Sequence, residues 1–196
     1  MANPYAPFGF RVTKLIGSEA PNYAYNDFPI PVGYSQSIAF GDPVTLSGGY
    51  LNLYQKGGSG IVGIFIGCQL PTSQGLNMPW TGYYPANYTS PYPNPGPVVG
   101  RVVTDPQMIF EVQVNGGPVG QSSIGSYIDL YAGSSGQPTL AGMSVAAVDP
   151  TTISATATTL PFKIVGISTG PGYFYGYNAS KANNIIQVLL NNPVLA

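Results

Sequence analysis

Histidine is missing from all 196 residues, which removes Ser-His-Asp and Cys-His nucleophilic arrangements and most zinc sites. Cysteine occurs once, as Cys68, so neither an internal disulfide nor a thiolate metal cage can form. Its position at the end of an apolar run predicts a buried thiol. Charge is scarce: 7% of residues are Asp, Glu, Lys or Arg, against about 25% in ordinary globular proteins. The six basic residues, Arg11, Lys14, Lys56, Arg101, Lys163 and Lys181, are scattered, and no run of them could neutralise successive phosphates. Nucleic acid is therefore not an expected partner. No apolar run approaches the ~20 residues of a membrane-spanning helix, and Met-Ala-Asn-Pro lacks the charged start and apolar core of a signal peptide. The expectation is a protein made and kept in a cytoplasm, without a membrane partner.

The seven acids stand apart in sequence, and none has calcium-loop spacing. A glycosidase-like pair could still meet in space, but with so few acids that is not the expected outcome. Glycines are many, yet no GxxxxGK[ST] occurs and no helix follows them. No catalytic residue, metal or cofactor is expected. Asn87-Tyr88-Thr89 and Asn178-Ala179-Ser180 match the glycosylation sequon, which without a secretion signal reads as coincidence.

What the chain does contain is 26 Gly, 20 Pro, 15 Tyr and 8 Phe, with 44% apolar residues. Glycine and proline alone would suit disorder, but disordered segments lack packing aromatics and β-branched runs. A chain of this length buries roughly 70% of its unfolded surface as one domain. The clearest pattern runs from Gly41 to Gln69. Apolar and polar residues alternate in Val44-Thr45-Leu46 and Tyr50-Leu51-Asn52-Leu53-Tyr54, while Ile61 to Ile66 is apolar on both faces and reads as an interior strand. Ser47-Gly48-Gly49 and the glycines after Lys56 supply the turns. A weaker copy follows: Gly125 to Leu130 echoes Gly41 to Leu46, and Lys163 to Ile167 echoes Gly60 to Ile64. A duplicated unit and the shared look of β-rich segments both account for it.

Residues 1–35 read as an extended arm, because five prolines deny it helix and interior-strand bonding while its aromatics need cover. Residues 36–196 read as one β domain, with an aromatic and proline-rich insert at 69–97. Tyr34 to Phe40 is expected as a first strand, then Val98–Val103, Met108–Val114, Tyr127–Tyr131, Ser144–Val148, Lys163–Ser168 and a last strand from Asn184 to Leu190, with a Thr-rich separator at Thr151–Thr159. Alternation in Ile109 to Val114 turns Glu111 toward solvent. Asp42, Asp105 and Asp149, each before a proline, read as turn formers. A second aromatic loop lies at Gly170 to Tyr177. The fold class is all-β: an antiparallel sandwich or barrel, jelly-roll or β-tulip-like, with long irregular loops and the N-terminal arm.

So neutral a surface calls for cover, since interfaces are depleted in charge and enriched in tyrosine. Aromatics on stiff loops make interface anchors at low entropic cost. Met-Ala-Asn-Pro-Tyr-Ala-Pro-Phe-Gly-Phe-Arg-Val resembles the opening of a group of small tailed-phage virion proteins. Gly41-Asp42-Pro43-Val44-Thr45-Leu46 followed by Ile61-Val62-Gly63-Ile64 is similar to the GDxVxL…IVGV pattern of phage capsid decoration, or cement, proteins. The likeness covers about a third of the chain, and the long insert departs from compact members of that group. It implies a homodimer or homotrimer on the exterior of an icosahedral capsid, clamping major capsid protein subunits. The expected contacts are Tyr5, Phe8, Phe10, Arg11, Trp80, Tyr83, Tyr84, Tyr88 and Tyr92. The alternative is a head-fibre or tail component that recognises host surface glycans, though no acid lies between Asp42 and Asp105 to serve a sugar site there.

Overall fold

Branched apolar residues alternating with polar ones, punctuated by glycine turns, form fourteen strands among the described residues of a computed structural model. Those residues are 3–18, 20–21, 24–71, 79–91, 96–139, 141–168 and 180–195. In chain order the strands are β1 (Arg11–Leu15), β2 (Tyr25–Ile30), β3 (Ile38–Ala39), β4 (Pro43–Ser47), β5 (Tyr50–Leu53), β6 (Ile61–Gln69) and β7 (Trp80–Thr81). They continue as β8 (Tyr83–Tyr84), β9 (Val98–Val103), β10 (Met108–Gln113), β11 (Tyr127–Leu130), β12 (Val148–Ser154), β13 (Phe162–Ile167) and β14 (Ile185–Leu190). A single 3-10 turn, Gln121–Ser123, is the helical element described.

Two open antiparallel sheets pack as a sandwich, not a closed barrel. One runs β1-β10-β14-β13-β11-β12, the other β2-β9-β6-β4-β5 with β7 on the end of β6, and β3 pairs with β8 separately. Phe110, Val112, Ile164, Ile186 and Val188 of the first sheet meet Ile61, Ile64 and Val103 of the second in the larger core. The other face of the second sheet carries a smaller core of Ile30, Val62, Phe65, Cys68 and Val102, closed by Ile38 and Tyr84. With a core on each face, β6 is the interior strand its sequence predicts. Cys68 is a free buried thiol, pushed up to about 12 by burial. The β4–β5 hairpin turns on Gly48 and Gly49, both at positive φ, with Ser47 opposite Tyr50, as a two-residue primed turn requires.

The two sheets repeat one topology. With the short β3, β7 and β8 set aside, β2-β9-β6-β4-β5 and β10-β14-β13-β11-β12 both place the unit's first, fifth, fourth, second and third strands side by side. Backbone bonds repeat as well. Gly41 N–H donates to Phe65 O and Phe65 N–H to Asp42 O, just as Gly125 N–H donates to Ile164 O and Ile164 N–H to Ser126 O. The first limb of the sequence echo, Gly41 with Gly125, is thus the structural equivalence. The second is off by four residues, because the bonds match Phe65 with Ile164. Register shifts in both sheets, between Phe65 and Gly67 and between Ile164 and Gly166, then match Gly67 rather than Gly63 with Gly166.

Several expectations are corrected. The segment 1–35, expected as an extended arm, holds β1 and β2, each at one edge of a sheet. Edges are where a chain with Pro29 in the ladder can sit. Of Tyr34 to Phe40 only Ile38–Ala39 is a strand. The strand placed at Ser144–Val148 instead runs Val148–Ser154, through Asp149 and half of the supposed Thr-rich separator. Glu111 does alternate away from Phe110 and Val112, but it is buried. Ser168 Oγ donates to it at 2.7 Å, and on the same face Gln113 bonds the Pro4 carbonyl and the Ala6 N–H.

Candidate binding surface

The expected contact residues separate by burial. Phe10 is 1% exposed and stacks on Phe162 at 4.5 Å, so it is core rather than contact. Tyr84, also 1% exposed, packs against Tyr34 and, edge-on, Tyr88, and is likewise core. Tyr88 is half-buried, its hydroxyl donating to the Pro71 carbonyl. Phe8 is half-buried beneath the Arg11 guanidinium, 4.8 Å from its ring centre. Tyr5, Trp80 and Tyr83 are exposed. Tyr92 and the second aromatic loop lie outside the described residues.

Around Trp80 the fold assembles a group that sequence spacing does not reveal. β2 pairs with β9 so that Asp27 lies opposite Arg101, and β9 pairs with β6 so that Arg101 lies opposite Gly67. Arg101 Nε and Nη2 donate to the two Asp27 oxygens at 2.8 and 3.1 Å, a forked pair that fixes the guanidinium plane. That plane lies 4.0 Å from the Tyr25 ring centre and 4.9 Å from the Trp80 ring. Trp80 is seated on Gly67, where a Cβ would come within 2.7 Å of the indole and 2.6 Å of the Thr81 carbonyl. Gly67 has φ +132, which side-chain-bearing residues rarely adopt. Tyr25, Val99 and Trp80 remain between 43% and 49% exposed. A groove of about 370 Å³ opens between Phe10, Arg11 and Val12 on one side and Tyr25, Ile66, Trp80 and Arg101 on the other. Tyr25, Asp27 and Arg101 were missed from sequence. The available signal was a single arginine inside the apolar run Val98–Val103.

A second exposed aromatic pair joins Tyr5 to Tyr131 across a shallow depression that Pro7 and Val145 also line. Tyr5 is 48% and Tyr131 42% exposed. Burial and then the neighbouring Tyr131 push the Tyr5 hydroxyl up.

Two acids that are distant in sequence do meet. Asp129 and Asp149 face one another across β11 and β12, both nearly buried. Asp129 accepts the Gly57 N–H at 2.8 Å, the Leu130 N–H at 2.7 Å and the Tyr54 hydroxyl at 3.3 Å. Asp149 accepts Lys56 Nζ at 2.6 Å and both the N–H and hydroxyl of Thr151. Burial, followed by the adjacent Asp129 charge, pushes the Tyr54 hydroxyl up. Burial would raise Asp149, but the Lys56 and Thr151 bonds outweigh it and hold the carboxyl below its ordinary range. With their oxygens bonded to internal donors, these acids tie the segment after β5 to the other sheet. Asp42 acts similarly: it accepts the Ala39 and Gly136 N–H groups and the Ser144 hydroxyl, joining three segments. Asp105 is the simple turn former, accepting the Gln107 N–H. Among the described residues no cluster of three or more His, Cys, Asp or Glu side chains is placed to hold a metal ion, and no helix is long and apolar enough to cross a membrane.

The chain matches no protein-family model, no curated protein and no solved structure.

Proposed function

We propose that this chain is a virion structural protein that binds the outer surface of an icosahedral phage capsid and bridges major capsid subunits as a homo-oligomer. One observation carries the reading. Large aromatic side chains stay exposed while most described acids are buried or paired, Asp27 by Arg101, Asp149 by Lys56, and Asp42 and Asp129 by backbone and hydroxyl donors. Such a surface binds through apolar and hydrogen-bonded contact rather than charge, and contact at several points raises the effective concentration for each further one.

The two phrases that resemble phage proteins are neighbours in the fold, which supports treating them as one unit. Phe10 N–H donates to Gly41 O at 2.9 Å, and a Cβ on Gly9 would come within 3.0 Å of that same carbonyl. Gly9 and Phe10 of the first phrase thus meet Gly41 of the second, and the shell contact is assigned to the exposed Tyr5 of the first phrase together with Tyr131.

The test is to add purified protein to decoration-free capsids and determine occupancy by cryo-electron microscopy. Stoichiometric, symmetric density is expected, reduced at least tenfold by Tyr5→Ala with Tyr131→Ala. A chain that stays a free monomer at micromolar concentration beside such shells overturns the reading.

A further inference from the structure

The groove beside Trp80 is the one place in the described surface where exposed aromatic rings, a fixed guanidinium and a carboxylate converge. We propose that it is a binding site for a neutral saccharide, with Trp80 and Tyr25 as the apolar platform and the Asp27–Arg101 fork as the hydroxyl-binding edge. This proposal does not rest on the capsid reading and can stand or fall separately.

Three properties select the ligand. Its volume of about 370 Å³ lies within the roughly 300–1,000 Å³ of small-molecule pockets. The Arg101 charge is met by Asp27 in a bidentate pair, so this edge has little net field, while the groove's second cation, Arg11, lies on the opposite wall over the Phe8 ring. What remains is a planar array of donors on Arg101 and acceptor lone pairs on Asp27, side by side. A sugar ring fits all three, with a C–H face for the aromatic surface, a rim of hydroxyls that both donate and accept, and no charge. The platform is also rigid before binding. Trp80 is held on Gly67, and Arg101 is held by Asp27 and by the Tyr25 ring, so little ordering entropy is lost on association.

The molecule contains its own control. In the repeated sheet the positions of Asp27, Arg101, Gly67 and Tyr25 are filled by Glu111, Gln187, Gly166 and Ile109, as the strand registers require. There the edge is occupied by β1, Glu111 is buried and bonded to Ser168, and the aromatic partner is an isoleucine. The same framework is thus closed in one half and open in the other. Arginine for glutamine and tyrosine for isoleucine distinguish the open one.

Trp80 is the single tryptophan of the chain, so its fluorescence reports on the site directly. The probes are glucose, galactose, N-acetylglucosamine and their β-1,4-linked disaccharides, with glucuronate and sialic acid as charged counterparts, titrated into the intact protein, with calorimetry on any that respond. At least one neutral sugar is expected to give a saturable change with Kd below about 1 mM. The affinity should be independent of salt between 0.05 and 0.5 M, taken as roughly a threefold change in Debye length. Arg101→Gln, which copies the closed half, should weaken binding at least tenfold. Trp80→Ala should abolish the calorimetric signal, and Tyr50→Ala, an exposed tyrosine elsewhere, should leave it unchanged. Silence from every neutral sugar overturns the proposal, as does a response confined to glucuronate or sialic acid that salt removes. Arg101→Gln binding as tightly as the parent while remaining folded by circular dichroism overturns it too.

Discussion

Asp42 shows how one side chain can hold a junction at a cost. Burial lifts its carboxyl to about 6 even though Ser144, Ala39 and Gly136 all donate to it. A folded-state value above the unfolded 3.8 means that the folded chain binds the proton more tightly between those values, so this group's contribution to stability is greatest below pH 4 and declines as pH rises toward 6. The decline should be on the order of 2–3 kcal/mol. Asp42→Asn keeps an acceptor for the backbone donors and cannot ionise. Urea midpoints across that range should therefore fall with pH in the parent relative to the variant, and parallel curves would count against the assignment. Gly67 gives a second expectation at this scale. Gly67→Ala forces its new methyl into the indole and the Thr81 carbonyl, and should cost about 1–3 kcal/mol while red-shifting the Trp80 emission.

The N-terminal segment is an element whose role changed between sequence and structure. Its prolines and aromatics were legible, and they predicted a strip that must lie on another surface. What they could not specify was that Arg11–Leu15 completes one sheet and Tyr25–Ile30 the other, because the partners β10 and β9 lie about seventy residues or more away. The distinction has consequences for mutation. Phe10→Ala, in the core against Phe162, should cost about 3–5 kcal/mol. Tyr5→Ala should shift thermal stability by no more than about 0.5 kcal/mol, since the residue is exposed. Removing residues 1–15 would strip β1 from β10 and leave an unpaired edge, so the truncated chain should form larger and more heterogeneous aggregates in light scattering than the parent.

At the scale of the whole molecule, scarcity of charge sets the mode of association. Because the described acids are mostly buried or paired, attachment through Tyr5 and Tyr131 should survive raising sodium chloride to 1 M, where the Debye length is about 3 Å. Sedimentation of capsids with bound chain in high salt checks this, and release would reveal an ionic contact. The repeated topology belongs to the same scale. It places the long aromatic segment after β6 and the segment between β13 and β14 at the same point of each unit, joining its fourth and fifth strands.

Local chemistry was sufficient to determine the fold class, the interior character of β6, the glycine turn between β4 and β5, the buried thiol and the turn at Asp105. Each depends on neighbours within a few residues, where side-chain alternation and backbone stereochemistry act. The tertiary structure alone decided that Phe10 and Tyr84 are core, that Glu111 is covered, and that Asp27, Arg101, Gly67 and Trp80 form one group. A strand pattern states which side chains share a face, but whether that face meets water or another layer is set by packing between segments far apart in the chain.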